Sequence, residues 1–444
     1  MKPTCAVLIC CIAIAACARD SSSSANGPRG PWRTERLKIS DTTVVRISNI
    51  LSADAELQLS HDLTIGKAGD AAAALFGAVG YVVPHGPGVL VFDSQAEIVR
   101  RFDSTGELIG NLGARGMGPA EYDAVRRIDV LDGDTIAIWS GGTRIKLFAP
   151  DGGYAGDMPI PGADGRAFIT PLRVARNARI FRRGSVNDPL YPDSLDRFGE
   201  PLTIAAAIRY NRDGEALDTA IIPRATRPQS RFRLDLKGGD FRGFAPIPFF
   251  PYFVAVFGPS GYWVSGEGDR YAIAMHRPGA PLRIETDAPR IGVKDAERQA
   301  MHARFAFEVA RYDAVAVPTL SLVANIKPFF SALQFDQDGR LWVKVHSEGA
   351  RQAPDTVTSA KSINGTPLVR PGEVWREPQV YHVFSADGEF LGRATLPENA
   401  TFADARGNKL WLILRDADDV QTVARYTVIP ASAPLRALFA WEPR

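Results

Sequence analysis

Short apolar strands separated by glycine-containing turns recur through most of the chain. The clearest copies lie at residues 333–343 and 402–412, and weaker copies lie at about 82–91, 128–138, 172–180 and 255–264. Two apolar strands around a tight turn predict a β-hairpin. The sequence therefore predicts six first hairpins.

A second type of hairpin follows each first one, and most copies carry an aromatic residue before an Asp-Gly or similar turn. These copies lie at residues 102–108, 148–154, 210–216, 275–281, 384–390 and, without the glycine, 428–435. Glycine supplies the positive φ that such tight turns need. Six pairs of hairpins predict an all-β fold: a six-bladed β-propeller of four-stranded antiparallel blades over residues 41–444.

Two segments are candidates for the strand that closes the ring. Residues 65–79 mirror residues 112–125, which places residues 63–66 as an outer strand leading into the first blade. Residues 435–441 compete for the same position. The sequence does not rank the two segments.

The glycine-rich run at residues 113–122, GARGMGPAEY, lies between two of these repeats. It resembles the blade-joining run of bacterial six-bladed β-propeller lipoproteins, which are relatives of the NHL-repeat propellers. Ala120 stands where that family usually has glycine. The likeness is strongest over residues 60–160 and 328–430. It implies a propeller fold and a lipid anchor, but no catalytic residues.

The long connections all join hairpins or blades and never the two strands within a hairpin. They are residues 184–202, 224–250, 287–330 and 346–379. In a four-stranded blade these connections gather on one face of the disc, which we call the long-loop face. Long loops on a rigid scaffold are common binding sites, so we expect a protein, peptide or glycan ligand on this face.

One of these connections carries a helical pattern, predicted as a short helical insertion between blades four and five. It opens at Lys294, and an apolar stripe at helical spacing follows: Met301, Phe305, Val309 and Tyr312. We expect this helix to pack over the propeller as a cap. The aromatic run at residues 249–253 and Trp375 are candidates either for ligand stacking or for core packing.

The N-terminus predicts export. Residues 1–16 form a signal peptide with Lys2 and a short apolar run, and they lead to a lipobox-like sequence ending in Cys17. We expect acylation of Cys17 and a flexible tether over residues 17–40. Cleavage after Ala18 is the competing interpretation. Ala18 beside Cys17 favours the outer membrane under the usual sorting pattern.

The chemistry-bearing residues are sparse. No histidine pair has zinc-ligand spacing, and we expect His276 and His382 at surface or edge positions. His346 ends an inner hairpin on the long-loop face and is the histidine of most interest. Asp129 and Asp404 are the acidic groups expected near the channel. The sequence therefore predicts neither a metal site nor a cofactor, and it indicates no catalytic residue.

Two functions from different classes remain. The first is a non-enzymatic binding or scaffold propeller of the cell envelope, a monomer that contacts the membrane through its lipid anchor only. The second is a metal-dependent hydrolase or lyase of the lactonase-like or amidating-lyase-like propeller type. The net charge of +2 gives no indication of a nucleic-acid partner. Fold alone does not separate the two functions.

Overall fold

The computed structural model describes most of the chain after its first 31 residues. The described ranges are residues 32–140, 144–161, 172–187, 189–190, 203–225, 231–236, 239, 241–277, 279–353 and 359–430. The predicted signal peptide, Cys17, part of the predicted tether and residues 435–441 lie outside the described residues. Within the described ranges, no helix combines the length and apolar character needed to cross a bilayer.

Three N-terminal strands are added to the outer edges of sheets formed later in the chain. They are β1 (Arg33–Ile39), β2 (Thr42–Ser48) and β3 (Glu56–Ile65). β1 begins inside the segment predicted as a tether and pairs antiparallel with β2. β2 is fixed to the rest of the protein because its side chains Val44, Val45 and Ile47 are buried. An ordered strand therefore starts earlier than the polar composition of this segment indicates.

The following strands form four-stranded antiparallel units in a β-propeller-like arrangement. Unit 1 contains β4 (Val79–His85), β5 (Gly88–Asp93), β6 (Ile98–Phe102) and β7 (Leu108–Leu112), and the short parallel pair β8 (Ala114–Arg115) and β9 (Glu121–Tyr122) follows it. Unit 2 contains β10 (Arg127–Val130), β11 (Ile136–Trp139), β12 (Arg144–Phe148) and β13 (Tyr154–Pro159). Unit 3 contains β14 (Leu172–Val174), β15 (Ile180–Asn187), β16 (Thr203–Tyr210) and β17 (Ala216–Ile221).

The later units carry the long connections. A separate hairpin of β18 (Phe232–Asp235) and β19 (Phe241–Ala245) precedes unit 4, which contains β20 (Phe253–Phe257), β21 (Trp263–Glu267), β22 (Ala272–His276) and β23 (Leu282–Thr286). The helix α1 (Asp295–Ala310) follows, and the short 3-10 turns of the described chain are Ala53–Ala55, Ala72–Ala74, Asp132–Asp134 and Leu320–Leu322.

Unit 5 is interrupted between its second and third strands. It contains β24 (Phe330–Phe335), β25 (Leu341–Val345), β30 (Val380–Phe384) and β31 (Phe390–Thr395), and its insertion contains β26 (Ala350–Arg351), β27 (Ser359–Lys361), β28 (Pro367–Val369) and β29 (Trp375–Arg376). Unit 6 contains β32 (Ala400–Arg406), β33 (Lys409–Arg415), β34 (Gln421–Pro430) and, as its outer strand, β3.

The hydrophobic core lies between the faces of neighbouring units. Val83 and Phe92 of unit 1, for example, pack with Ile128 and Ile136 of unit 2. The first strands of the units lie side by side near the centre: β32 against β4, β4 against β10, β10 against β14, and β20 against β24. Face-to-face packing of radial sheets around a centre is the arrangement of a propeller, which confirms the predicted all-β propeller class.

The outer strand of unit 6 comes from the N-terminus. β3 pairs antiparallel with β34 and, at its first residues, parallel with β31. β2 likewise pairs parallel with β23, so the N-terminal strands cover the rim of units 4, 5 and 6. Of the two candidate closing segments, residues 63–65 therefore occupy the outer position, as the end of β3.

The long connections build a structure on the long-loop face that we call the cap. It consists of residues 232–245, residues 295–326 with α1, and residues 350–376. Phe305 and Val309 of α1 are buried against Leu234 and Ile247 of the preceding connection. Tyr312, predicted in the same stripe, is 44% exposed because it lies beyond the end of the helix.

Candidate functional site

Asp129 and Asp404, the carboxylates expected near the channel, are both buried on first strands. Asp129 lies on β10, where it accepts hydrogen bonds from Arg127 Nε (2.8 Å) and from the backbone N–H of Val174 (3.0 Å) in the neighbouring unit. Asp404 lies on β32 and accepts hydrogen bonds from Gln337 Nε2 (2.5 Å) and from the backbone N–H of Ala405 (2.8 Å). Each carboxylate therefore joins its own unit to another part of the structure.

A guanidinium group lies among these carboxylates. Arg173, on β14 between the core residues Leu172 and Val174, is 5% exposed, and its Nε lies 3.4 Å from Asp129 Oδ1. Burial and the positive charge of Arg127 lower the pKa of Arg173 to about 10, against the opposing effect of Asp129, Asp404 and Asp336. Arg173 therefore stays charged at neutral pH and counters negative charge on three different units.

Asp404 is the least stabilised carboxylate of this group. Burial raises the pKa of Asp404 to about 7, although the hydrogen bond from Gln337 and the charge of Arg173 act to lower it. Asp336, in contrast, accepts hydrogen bonds from Arg340 Nε (2.6 Å) and Trp342 Nε1 (2.8 Å). We call Arg127, Asp129, Arg173, Asp336, Gln337 and Asp404 the axial cluster.

The turns within first hairpins close over this cluster on the opposite face of the disc, the short-turn face. Arg176, in the turn of unit 3, donates to the Gln337 carbonyl in the turn of unit 5. Arg406, at the end of β32 in unit 6, donates to Asp134 in the turn of unit 2 (2.7 Å). Both contacts join units that are not neighbours, so the turns are tied together across the centre of the disc.

A second buried charged group lies where the cap meets the propeller. Lys327 is 1% exposed, and its Nζ lies 2.7 Å from Glu297 Oε1 on α1 and 3.0 Å from Glu377 Oε1 before β30. The same Nζ donates to the Ser347 carbonyl (2.9 Å). Glu297 is 2% exposed, and its Oε2 has no hydrogen-bond partner among the described residues. One ammonium group thus joins the connection that carries α1 to the connection between β25 and β30.

His346 belongs to this group. Its Nδ1 lies 3.0 Å from Glu377 Oε2, and its ring packs edge-on against Phe249 at 5.8 Å. Burial acts to raise the pKa of Glu377, but the hydrogen bond from His346, the Ser347 N–H and the charge of Lys327 together hold it below its usual range. We call Glu297, Lys327, His346 and Glu377 the Lys327 cluster.

The sequence identified residues of both clusters but not the buried cation at the centre of each. It singled out Asp129, Asp404 and His346, but it did not find Arg173 or Lys327, because a lone cation in an apolar stretch carries no motif. Gly349 packs directly against the Lys327 cluster. A Cβ there would lie 2.3 Å from Glu297 Oε1, so a side chain at this position would displace the Glu297 carboxylate.

Two expectations about histidines were wrong. His382, expected at a surface or edge, is 2% exposed and accepts or donates a hydrogen bond at Nδ1 with the Tyr271 hydroxyl (2.9 Å). Burial lowers the pKa of His382 to about 3. His276 is partly buried and stacks on Trp263 at 3.5 Å. Both histidines face inward because neighbouring units cover the middle strands of each sheet.

Two clefts lie between units at the short-turn side. One, of about 300 Å³, lies between units 1 and 2 and is lined by residues that include His85, Arg101, Ile109 and Asp134. The other, of about 340 Å³, lies between units 2 and 3 and includes Arg176 and Arg212. Within the described ranges, no three His, Cys, Asp or Glu side chains are grouped closely enough to hold a metal ion.

Comparison with known proteins finds only distant structural similarity. No protein-family model matches the chain, and no curated protein matches it by sequence. A candidate exported protein from Bacteroides fragilis is similar at 10% identity and a TM-score of 0.42, covering 87% of this chain and 99% of that one. A member of the DUF4221 family from Bacteroides vulgatus has 11% identity and a TM-score of 0.43, covering 85% and 99%.

A gluconolactonase from Xanthomonas campestris is also similar, at 12% identity and a TM-score of 0.32, covering 84% of this chain and 97% of that one. At this level of identity and structural agreement these likenesses carry no argument about this chain.

Proposed function

We propose that this chain is an exported, lipid-anchored protein of the cell envelope. Its six-bladed β-propeller binds a ligand and does not catalyse a reaction on it. Units 1–6 are the six blades, and β3 closes the ring as the outer strand of the last one. Cys17 is the acylated residue, and the outer membrane is the destination. The ligand is a protein, peptide or glycan held on the long-loop face by a monomer.

The observation that carries this proposal is the place of Arg173. In a metal-dependent propeller hydrolase, carboxylates near the channel hold a divalent cation. Here Asp129 faces Arg127 and Arg173, and Asp404 lies within the electrostatic influence of the same Arg173. A guanidinium group thus supplies positive charge among the carboxylates, which favours a structural role for them.

The closed short-turn face supports the long-loop face as the binding side. Hydrogen bonds from Arg176 and Arg406 tie the turns together across the disc, so a ligand has little access to the axial cluster from that side. The long-loop face carries the cap, the partly buried Trp375 and the aromatic residues before β20. These side chains offer stacking surfaces for a sugar ring or a hydrophobic peptide.

The first experiment separates binding from metal catalysis. The melting temperature of the mature chain from residue 17 is measured with chelator, and then with calcium or zinc added. A metal that binds only the folded protein stabilises it by about 2.7 kcal/mol at a hundred times its dissociation constant. For a chain of this size the melting temperature would then rise by at least about a degree. We expect no rise, whereas a clear rise supports the metal-dependent hydrolase or lyase instead.

A second experiment looks for the ligand in the cell envelope. A photo-crosslinking amino acid replaces Trp375 on the long-loop face or, as the control on the short-turn face, Asp213, which is exposed in the turn between β16 and β17. We expect a crosslinked product specific to position 375. Equal products from both positions, or none from position 375, contradict binding on the long-loop face.

A further inference from the structure

The cap carries an unusual share of the exposed apolar surface. The described part of the chain has 20 exposed large apolar side chains, and nine of them belong to the cap. The cap contains only a small share of the described residues. These nine are Phe241, Phe244, Tyr312, Val315, Val317, Leu322, Ile326, Ile363 and Val369. Large apolar patches on a soluble protein mark surfaces that another molecule or a membrane covers.

The β18–β19 hairpin separates a buried face from an exposed face. Phe232 packs edge-on against Phe305 of α1 at 5.5 Å, which fixes the inner face. Phe241 and Phe244 are 48% and 51% exposed, and their rings lie 5.1 Å apart on the outer face. The guanidinium of Arg233 lies 4.6 Å from the Phe241 ring and forms an ion pair with Asp235 at 2.7 Å. An aromatic pair beside a paired arginine thus faces solvent.

Hydrogen bonds join this hairpin to the other apolar segments of the cap. The Val315 N–H donates to the Asp235 carbonyl at the end of β18 (2.8 Å), and Val317 follows two residues later with 75% exposure. The Ile363 N–H donates to the Arg311 carbonyl at the end of α1 (2.8 Å), and Ile363 is 51% exposed. We call Phe241, Phe244, Val315, Val317 and Ile363 the cap patch.

The position of the N-terminus indicates what covers this patch. Trp32, the first described residue, packs against Phe390 of unit 5 with ring centroids 5.3 Å apart. The β27–β28 hairpin of the cap is inserted into the same unit. Trp32 lies fifteen positions after Cys17 in the chain, so the two can be at most about 50 Å apart. An acylated Cys17 therefore holds this sector of the disc close to the bilayer.

We infer that the cap patch is a membrane-contact surface that rests on the lipid bilayer in which Cys17 is anchored. This inference rests on the lipid anchor of the proposed function, and it adds a second membrane contact to the single one expected from the sequence. Apolar side chains with aromatic neighbours suit the boundary between headgroups and acyl chains. A single patch of this size binds weakly and reversibly, and the anchor supplies the proximity.

The test uses the mature chain from residue 17 with Cys17→Ser, which removes both the acyl group and the last cysteine, since all four cysteines lie at residues 5–17. Binding is measured by flotation with vesicles of phosphatidylethanolamine and phosphatidylglycerol. We expect Phe241→Ser with Phe244→Ser to lower the partition coefficient by about tenfold or more. The control pair Ile109→Ser with Met117→Ser, exposed outside the cap, leaves it unchanged.

A second measurement reports which face of the protein lies against the bilayer. A polarity-sensitive fluorophore on Val317→Cys should shift to the blue on adding vesicles, whereas the same label on Asp213→Cys, in a turn of the short-turn face, should not. No flotation of the parent chain, or equal loss from the cap and control pairs, overturns the inference, as does an unshifted label at residue 317. The mass of the N-terminal peptide from cells tests acylation separately, so failure of the anchor and failure of the patch are distinguishable.

Discussion

In the axial cluster two arginines lie beside the buried carboxylates, whereas in the Lys327 cluster a single lysine forms ion pairs with two glutamates. Asp129 has both Arg127 and Arg173 within ion-pair distance. Glu297 has Lys327 alone among the charged groups described near it. Asp404 can also become neutral close to physiological pH, because burial raises its pKa to about 7. The axial cluster therefore has two ways to tolerate the loss of a cation. In the Lys327 cluster Glu377 keeps His346 as a partner, but Glu297 has no second cation among the described residues.

The two clusters also join different parts of the molecule. The axial cluster links first strands and turns of the propeller itself, through contacts such as that of Asp129 with the Val174 N–H. The Lys327 cluster links α1, the segment before β24 and the segment before β30. Damage to the first should therefore loosen the propeller as a whole, and damage to the second should loosen the cap from the propeller.

The largest effect is expected from Lys327→Met, which leaves Glu297 buried without a counter-charge. Removing one partner of a buried ion pair typically costs about 3–5 kcal/mol, so urea unfolding should show a loss of this size. Hydrogen exchange should rise first over α1. The control Lys294→Met removes an exposed pair with Glu348 at 3.6 Å and should cost no more than about 1 kcal/mol. Equal losses in both variants would mean that the buried pair does not hold the cap.

A smaller effect is expected from Arg173→Met. Arg127 still pairs with Asp129, and Asp404 can take up a proton, so we expect a loss of about 2–3 kcal/mol at pH 8. The loss should shrink at pH 5, because Asp404 is then already neutral. Urea unfolding at both pH values measures this difference. A loss that is the same at pH 5 and pH 8 contradicts the role assigned to Asp404.

The smallest change in stability is expected from Asp404→Asn at acidic pH. The direction in which this change varies with pH follows from the raised pKa of Asp404. The folded protein holds a proton on Asp404 up to about pH 7, whereas the unfolded chain releases it near pH 4. The contribution of Asp404 to stability therefore falls as pH rises between these values. The variant should be within about 1 kcal/mol of the parent at pH 5 and should gain relative to it by pH 8. The parent in the same buffers is the reference, and no relative gain would disprove the raised pKa.

Much of the fold could be predicted because its signals are local. The turn and strand pattern of β32 and β33, for example, depends on an apolar alternation and a Gly407 turn that neighbouring residues define. β1 could not be found in the same way. It is a polar strand, held by pairing with β2, and the sequence of an edge strand says little about its partner.

The candidate sites were predicted only in part. Asp129 and Asp404 stood out because acidic residues are unusual in apolar inner strands. Their common neighbour Arg173 is more than 40 residues away from Asp129 in the chain, and nothing in either segment indicates the pairing. His346 was identified from its place at the end of a hairpin, but its link to Lys327 through Glu377 depends on two separate long connections meeting.

By itself the sequence determined the elements whose causes are local: the repeated hairpins, the propeller class, the helix within the long connection after β23, and the face on which the long connections gather. Tertiary structure alone decided which charges share a buried site, that His382 lies inside, and that the first strands of the chain cover the rim of its last three units. The physical reason is the range of the forces. Turn and strand preferences act over a few residues, whereas burial and charge pairing depend on segments that only the folded propeller brings together.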